Sequence, residues 1–292
     1  MATAGQWIEG ARPRTLPAAV APVLAGSGIA LHAYSFCWWR AGLALLVSLM
    51  LQVGVNYAND YSDGIRGTDD DRVGPLRLVG SGLARPEAVK AAAFTAFGAA
   101  GVFGLALAVS TSWWLVLVGA LSIAAAWFYT GGKKPYGYLG LGEVVVFIFF
   151  GLVAVLGTVY VQVEDLPGIA WAPASAIGAL ACSILVANNL RDIPTDTVAG
   201  KRTLAVKLGD LNTRRLYTFL NSAAFALLFS LAAHTTWWAM LGAVGFVPLL
   251  RANLLVTAKR ATGPALIPVL QLTGVGELLY AAGIFAGLWI GR

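Results

Sequence analysis

Two stretches of the chain place aspartate and asparagine at helical spacing: Asn56-Tyr-Ala-Asn59-Asp60-Tyr61-Ser62-Asp63, and Asn188-Asn189-Leu190-Arg191-Asp192-Ile193-Pro194-Thr195-Asp196. Residues three or four apart share one face of a helix. Asn56, Asn59, Asp60 and Asp63 therefore form one polar stripe, and Asn188, Asp192 and Asp196 a second. Pro194 disfavours helix at Ile193, which would place Asp196 on a turn instead of the helix. A single Asp at a helix end is ordinarily a solvated charge, but two matched stripes of carboxylates facing each other need a cation between them. Carboxylate and amide oxygens are hard donors that suit Mg²⁺, which keeps several waters and binds through one or two carboxylates plus substrate phosphates. Cations for the phosphate are present in sequence as well: Lys133 and Lys134, Arg191 inside the second stripe, and Lys201 with Arg202 just after it. Together with a metal, such residues can neutralise a phosphate leaving group.

The elements that must position these stripes are membrane helices. The 292 residues are 58% hydrophobic and 12% charged, with a mean hydropathy of +0.74, a balance that points to lipid as the solvent. Nine segments are long and apolar enough to cross a bilayer, at about 15–33, 40–60, 87–108, 112–130, 141–162, 170–191, 213–233, 236–256 and 270–290. They predict a single all-α polytopic membrane domain over 1–292. With an inside N-terminus, alternation places all but Arg40 and Arg292 of the 20 Lys and Arg residues on the cytoplasmic side, as the positive-inside rule requires. That rule accounts for the net charge of +6 without nucleic acid. It predicts a multi-pass membrane protein with a cytoplasmic N-terminus and an outside C-terminus. The N-terminus lacks signal-peptide features, so the first helix is expected to be retained. Cys37 and Cys182 are far apart and suggest neither a disulfide nor a zinc site.

Asp and Glu contribute little to orientation, so the gathering of Asp60, Asp63, Asp69, Asp70, Asp71, Asp192 and Asp196 at the cytoplasmic ends of helices two and six has no topological cause. Asn59 and Asp63 recur as Asn188 and Asp192, both offset by 129 (188 − 59 and 192 − 63). The motif helices are four apart and run the same way, as in a parallel internal repeat.

These residues resemble the UbiA superfamily of intramembrane prenyltransferases, and more closely its 1,4-dihydroxy-2-naphthoate branch. Four segments carry the resemblance: Ala11-Arg-Pro-Arg-Thr-Leu-Pro17, Asn59 to Asp69, Tyr129-Thr-Gly-Gly to Pro135-Tyr-Gly-Tyr-Leu-Gly-Leu-Gly-Glu143, and Asn188 to Asp196. Where the superfamily's first motif often carries a third acid, this chain has Gly67, and the acid is displaced to Asp69 as in the naphthoate branch. The resemblance implies nine helices around a central cavity in a bacterial inner membrane, with Mg²⁺ and a polyprenyl diphosphate between the motifs. It implies metal ligands among Asn59, Asp60, Asp63, Asp69, Asp192 and Asp196, and a substrate-binding set of Arg12, Asn56, Tyr129, Lys133, Lys134, Asn188, Arg191 and Lys201. Asp63, Asp192 and Lys134 stand as the catalytic candidates, Lys134 because the family's basic residue immediately precedes Pro-Tyr-Gly. The implied reaction prenylates 1,4-dihydroxy-2-naphthoate with loss of carbon dioxide and diphosphate, giving demethylmenaquinone.

Both histidines, His32 and His234, are expected on the opposite face, leaving no imidazole base for the site. Decarboxylative attack fits that absence, because losing carbon dioxide restores the aromatic ring. Arg12 has two readings, as a clamp for the acceptor's carboxylate or as an anchor for the first helix. Glu143 and Glu277 are intramembrane acids without an assigned partner. Two rivals remain: a prenyltransferase for another aromatic acceptor, and a transporter, whose acids would sit nearer mid-membrane.

Overall fold

The computed structural model describes residues 2–67 and 76–292, and among them it contains helices, turns and loops but no strand. A short helix α1 (Ala4–Gly10) precedes α2 (Pro17–His32), and the chain bends by 48° between Ala4–Thr15 and Pro17–His32. Then come α3 (Trp38–Gly64), α4 (Pro86–Ser110) and α5 (Trp114–Phe128). The span α6 (Gly142–Val163) follows, then α7 (Trp171–Val198), α8 (Leu204–His234), α9 (Trp237–Thr257) and α10 (Ile267–Ile290). Seven of these helices are long and apolar enough to cross a membrane, and the bent pair at the N-terminus makes an eighth. The ninth expected span is α5, apolar but only 15 residues long. At 1.5 Å per residue it covers about 22 Å, short of a ~30 Å hydrocarbon core.

Large apolar side chains face outward along the helices, among them Val102 and Val109 on α4, Leu117 and Leu121 on α5, and Val247 and Leu250 on α9. Water would penalise such a surface, whereas lipid solvates it at no cost. Inside, the packing relies on small residues, as membrane helices do when backbones approach closely. A side chain at Gly151 would strike the backbone of Gly178 across the α6–α7 contact, and one at Gly287 would collide with the carbonyl of Trp238. The α6 turns around Gly151 are π-helical from Phe147 to Leu156, a local widening that no hydrophobic pattern announces.

The two motif helices occupy equivalent places, with α3 packed most extensively on α4 and α7 on α8. Their motif ends lie at one end of the bundle, since Lys201, just after α7, reaches Asp63 near the end of α3. The other end is tied by Arg40 at the start of α3, which donates to the carbonyls of Val161 (2.9 Å) and Ser110 (2.8 Å) and pairs with Glu164 at 2.7 Å. His32 and His234 end α2 and α8 there. Trp38, Trp113, Trp171, Trp237 and Trp289 are exposed at that end, where an aromatic belt belongs.

Two expectations change. The span assigned to 170–191 continues as helix to Val198 with Pro194 inside it, so Asp196 lies on the same helix as Asp192, one turn on, and not on a turn after it. The span assigned to 213–233 is preceded by helical residues from Leu204, with a break at Gly209, whose φ of 72° lies in the left-handed region that glycine adopts without strain.

Gly287→Val is expected to destabilise the bundle by about 1–3 kcal/mol, the usual cost of overpacking, whereas Gly101→Ala, with open space around its Cβ, leaves the melting temperature in detergent unchanged or slightly raised. Equal melting temperatures for the two variants would contradict the close α9–α10 contact. Impermeant thiol labelling in a Cys37→Ser, Cys182→Ala background tests sidedness. Ser81→Cys and Lys259→Cys are expected to react from the cytoplasmic side and Asp165→Cys from outside; labelling of all three from one side would contradict the alternation.

Candidate active site

The first polar stripe is buried at the end of α3, and its members divide into two tasks. Asn56 donates through Nδ2 to the carbonyl of Ala11 and to the hydroxyl of Thr15, both at 2.9 Å, while its Oδ1 accepts from Gln52. Asp60, fully buried, accepts the backbone amides of Leu78 at 2.7 Å and Val79 at 3.1 Å on its two oxygens, and Arg12 lies within electrostatic reach of it. Through these contacts Asn56 fastens the segment before α2 and Asp60 the return of the chain towards α4. The other two members face across the bundle. Asn59 Oδ1 accepts from the Thr130 hydroxyl at 2.8 Å. Asp63 accepts from the Tyr138 hydroxyl and lies 3.6 Å from Arg77 Nη2 and 3.8 Å from Lys201 Nζ.

In the second stripe Asp192 and Asp196 are buried and Asn188 is half-buried, as Asn59 is in the first. Arg191 Nε and Nη2 hold the two oxygens of Asp192 at 2.6 and 2.8 Å, and Nη2 also donates to Asn188 Oδ1 at 2.9 Å. Asp196 follows one turn on, and its carbonyl accepts from the Lys201 amide at 2.8 Å. This turn after α7 aims Lys201 back at Asp63, with its ammonium 4.6 Å from the centre of the Tyr138 ring. A residue trailing the second motif thus contacts an acid of the first.

The stretch between α5 and α6 straps the two motifs together. Arg66 donates to the carbonyls of Thr130 and Gly132 and stacks over the Tyr138 ring. On the other side, the Arg202 amide donates to the Tyr138 carbonyl at 3.0 Å and Lys207 Nζ to the Leu139 carbonyl at 2.6 Å. Tyr129, at the base of the strap, packs edge-on against Tyr136, and Lys133 and Lys134 are both exposed in the bend between them. Tyr138, Arg77, Arg66 and Thr130 are site residues that spacing alone did not single out. Their signal was weak: an aromatic inside a Gly-rich loop, and arginines counted only for topology. Asp69 falls outside the described residues. Glu143 gains a partner, since Asn189 Nδ2 donates to its Oε1 at 2.9 Å. The Glu277 carboxylate has none among the described residues.

Chemically, the site is two buried acid groups whose charge is matched by Arg77, Lys201 and Arg191. Among the described residues, no three His, Cys, Asp or Glu side chains converge into a metal cluster. Asp63, Asp192 and Asp196 are the buried motif acids whose carboxylates lie beside or one turn from these cations. Their donor set suits a cation that takes few protein oxygens and fills its shell with water and phosphate, as Mg²⁺ does and a caged Ca²⁺ site does not.

Comparison with known proteins agrees with this arrangement. The model of the UbiA prenyltransferase family matches residues 19–289. The chain is 54% identical to the 1,4-dihydroxy-2-naphthoate octaprenyltransferase of Mycobacterium tuberculosis, over 100% of this chain and 99% of that one. It is 38% identical to the Escherichia coli protein of the same name, over 97% and 96%. Among solved structures, a UbiA homolog from Aeropyrum pernix in its apo form aligns with a TM-score of 0.72 at 16% identity, covering 92% of this chain and 97% of that one. A UbiA homolog from Archaeoglobus fulgidus bound to GPP and Mg²⁺ aligns at 0.70 and 15% identity, covering 97% and 99%. The fold, the paired polar stripes and the full-length relatives agree, and the chain belongs to the UbiA prenyltransferase family.

Proposed function

We propose that this protein transfers an isoprenyl group from a polyprenyl diphosphate to 1,4-dihydroxy-2-naphthoate, releasing diphosphate and carbon dioxide and giving demethylmenaquinol, the reduced form of demethylmenaquinone. The observation that carries the reading is the contact of Lys201 with Asp63, because it joins the two motifs into one site of alternating acids and cations. The acceptor is inferred from the full-length relatives, which carry the name of that activity.

In this reading the donor's diphosphate lies between the ends of α3 and α7, with Arg77, Arg191 and Lys201 turned to its oxygens. Asp63, Asp192 and Asp196, with the amide oxygens of Asn59 and Asn188, would hold Mg²⁺, which when bound supplies the charge that stabilises the departing diphosphate. Arg191 keeps the Asp192 carboxylate in one orientation through its two-point contact, and Tyr138 does the same for Asp63. Lys134 approaches the diphosphate from the strap. The allylic C–O bond breaks with both electrons leaving on the diphosphate oxygen, and the apolar helix faces exclude water from the resulting carbocation. The electron-rich ring then attacks through its carboxyl-bearing carbon. Breaking the bond to the carboxylate returns two electrons to the ring, so carbon dioxide leaves and no imidazole is needed. Arg12, near the mouth of α2, is the proposed partner for the acceptor's carboxylate. The motif end faces the cytoplasm, where both soluble substrate groups are found, and the protein sits in a bacterial inner membrane.

Incubating the purified protein with Mg²⁺, 1,4-dihydroxy-2-naphthoate and prenyl diphosphates of several lengths tests the reading, with the expected products being prenylated naphthol and carbon dioxide. Product from 4-hydroxybenzoate but none from the naphthoate would assign a different acceptor. Excess EDTA is expected to stop turnover. Asp63→Asn and Asp192→Asn should each lower kcat by at least about a hundredfold at an unchanged melting temperature; a fall in stability with retained specific activity would make both residues structural.

Loss of a charge-assisted contact is worth about 1.5–3 kcal/mol, or roughly tenfold to a hundredfold. That loss in kcat/KM for the donor is expected for Lys201→Ala and Lys134→Ala, and a much smaller one for Lys133→Ala. Since all three remove the same charge, equal losses would reduce the effect to membrane electrostatics.

A further inference from the structure

Away from the motifs, at the same end of the bundle, α8 and the end of α9 frame an open cleft of about 520 Å³. Arg214 builds its floor. The guanidinium donates to the carbonyls of Val256 at 2.6 Å and Ala261 at 2.9 Å, and grips both oxygens of Asp210 at 2.8 Å. Among the described residues no acid lines the cleft, and the pairing with Arg214 neutralises Asp210 beside it. Two further cations on the wall, Arg215 and Arg260, are exposed. Arg215 makes a long contact to Asn212, at 3.4 Å. Thr218 and Thr257 lie on the same wall, with their hydroxyls donating to Asn253. The cleft therefore carries surplus positive charge at this end of the bundle.

Its lower edge opens onto lipid. Leu211 and Phe219 line the cleft, and Phe229 continues the exposed apolar side of α8. On α9, Leu254, Leu250 and Val247 run from Thr257 along one exposed face at spacings of three and four. Arg251 is exposed beside them, six residues or about 9 Å below Thr257. A cationic head region opening onto two apolar stripes matches the shape of one molecule, an anionic headgroup bearing acyl chains. Basic pockets between membrane helices bind such headgroups on the cytoplasmic side.

We propose that this cleft is a binding site for an anionic phospholipid, with its phosphate on Arg215 and Arg260 and its chains along the outer faces of α8 and α9. It is separate from the diphosphate site, because none of the motif residues lines it.

Native mass spectrometry of the full-length protein in detergent tests the site, using phosphatidylglycerol and phosphatidylcholine of equal chain length as probes. Each basic residue near an anionic lipid contributes about fivefold, so the pair should give roughly a twenty-five-fold preference for phosphatidylglycerol. An Arg215→Gln, Arg260→Gln double variant should lose that preference while keeping its melting temperature and its turnover, and an Arg215→Lys, Arg260→Lys variant should retain most of it. An unchanged preference in the glutamine variant would overturn the proposal. Displacement of the bound lipid by inorganic phosphate at millimolar level would reduce the cleft to a simple anion site. Displacement by geranylgeranyl diphosphate, but not by phosphate, would make it an entry point for the donor.

Discussion

The structure turns on keeping acids of two different helices buried at one membrane face. Carboxylates in a low-dielectric setting repel one another, and each costs several kcal/mol to bury without a partner. Lys201 and Arg77 beside Asp63, and Arg191 on Asp192, supply the opposing charge. Asp192 is held by Arg191 on its own helix, whereas Arg77 and Lys201 reach Asp63 from outside α3. The Lys201 contact requires α7 to continue past Pro194 and turn back at Gly200, whose φ of 70° suits glycine. The Tyr138 contact requires the strap to cross from α5 to α6. These polar links also make the ends of α3 and α7 a fixed pair, as the proposed binding of a diphosphate with its metal requires.

The remaining polar residues serve that arrangement from a distance. Asn56 and Asp60 use the stripe's inner positions to hold the backbone on either side of α3, so that the segment before α2 and the return towards α4 close around the site. Arg40 collects three helix ends at the far face. Gly151 and Gly287 let backbones come together where lipid offers no hydrophobic drive for helices to associate. In this bundle the buried polar groups set geometry, and close packing of small residues supplies cohesion.

Much of this was legible in the sequence because membrane helices leave strong marks. Nine apolar segments correspond to the observed helices, and alternation brought both motifs to one end, as the contact of Lys201 with Asp63 requires. The motif acids were visible through their spacing, but spacing cannot say what a side chain touches. Asn56 and Asp60 share a face with Asn59 and Asp63, yet a helix end is surrounded by chain on several sides, and the inner pair meets backbone amides and carbonyls first. Tyr138 and Arg77 were hidden for the opposite reason: each lies on a loop whose path is set by tertiary contacts and not by a period. Pro194 misled because its penalty is local, whereas the packing of α7 and the bonds of the following turn extend over several residues.

The claim that both motifs hold one diphosphate can be tested without turnover, by calorimetric titration of the purified protein with a prenyl thiolodiphosphate that cannot react. The account predicts a single site whose affinity requires Mg²⁺ and falls when the acid of either helix is replaced, Asp63 on α3 or Asp192 on α7. Binding that is independent of Mg²⁺, or that survives replacement of one of the two acids, would contradict it.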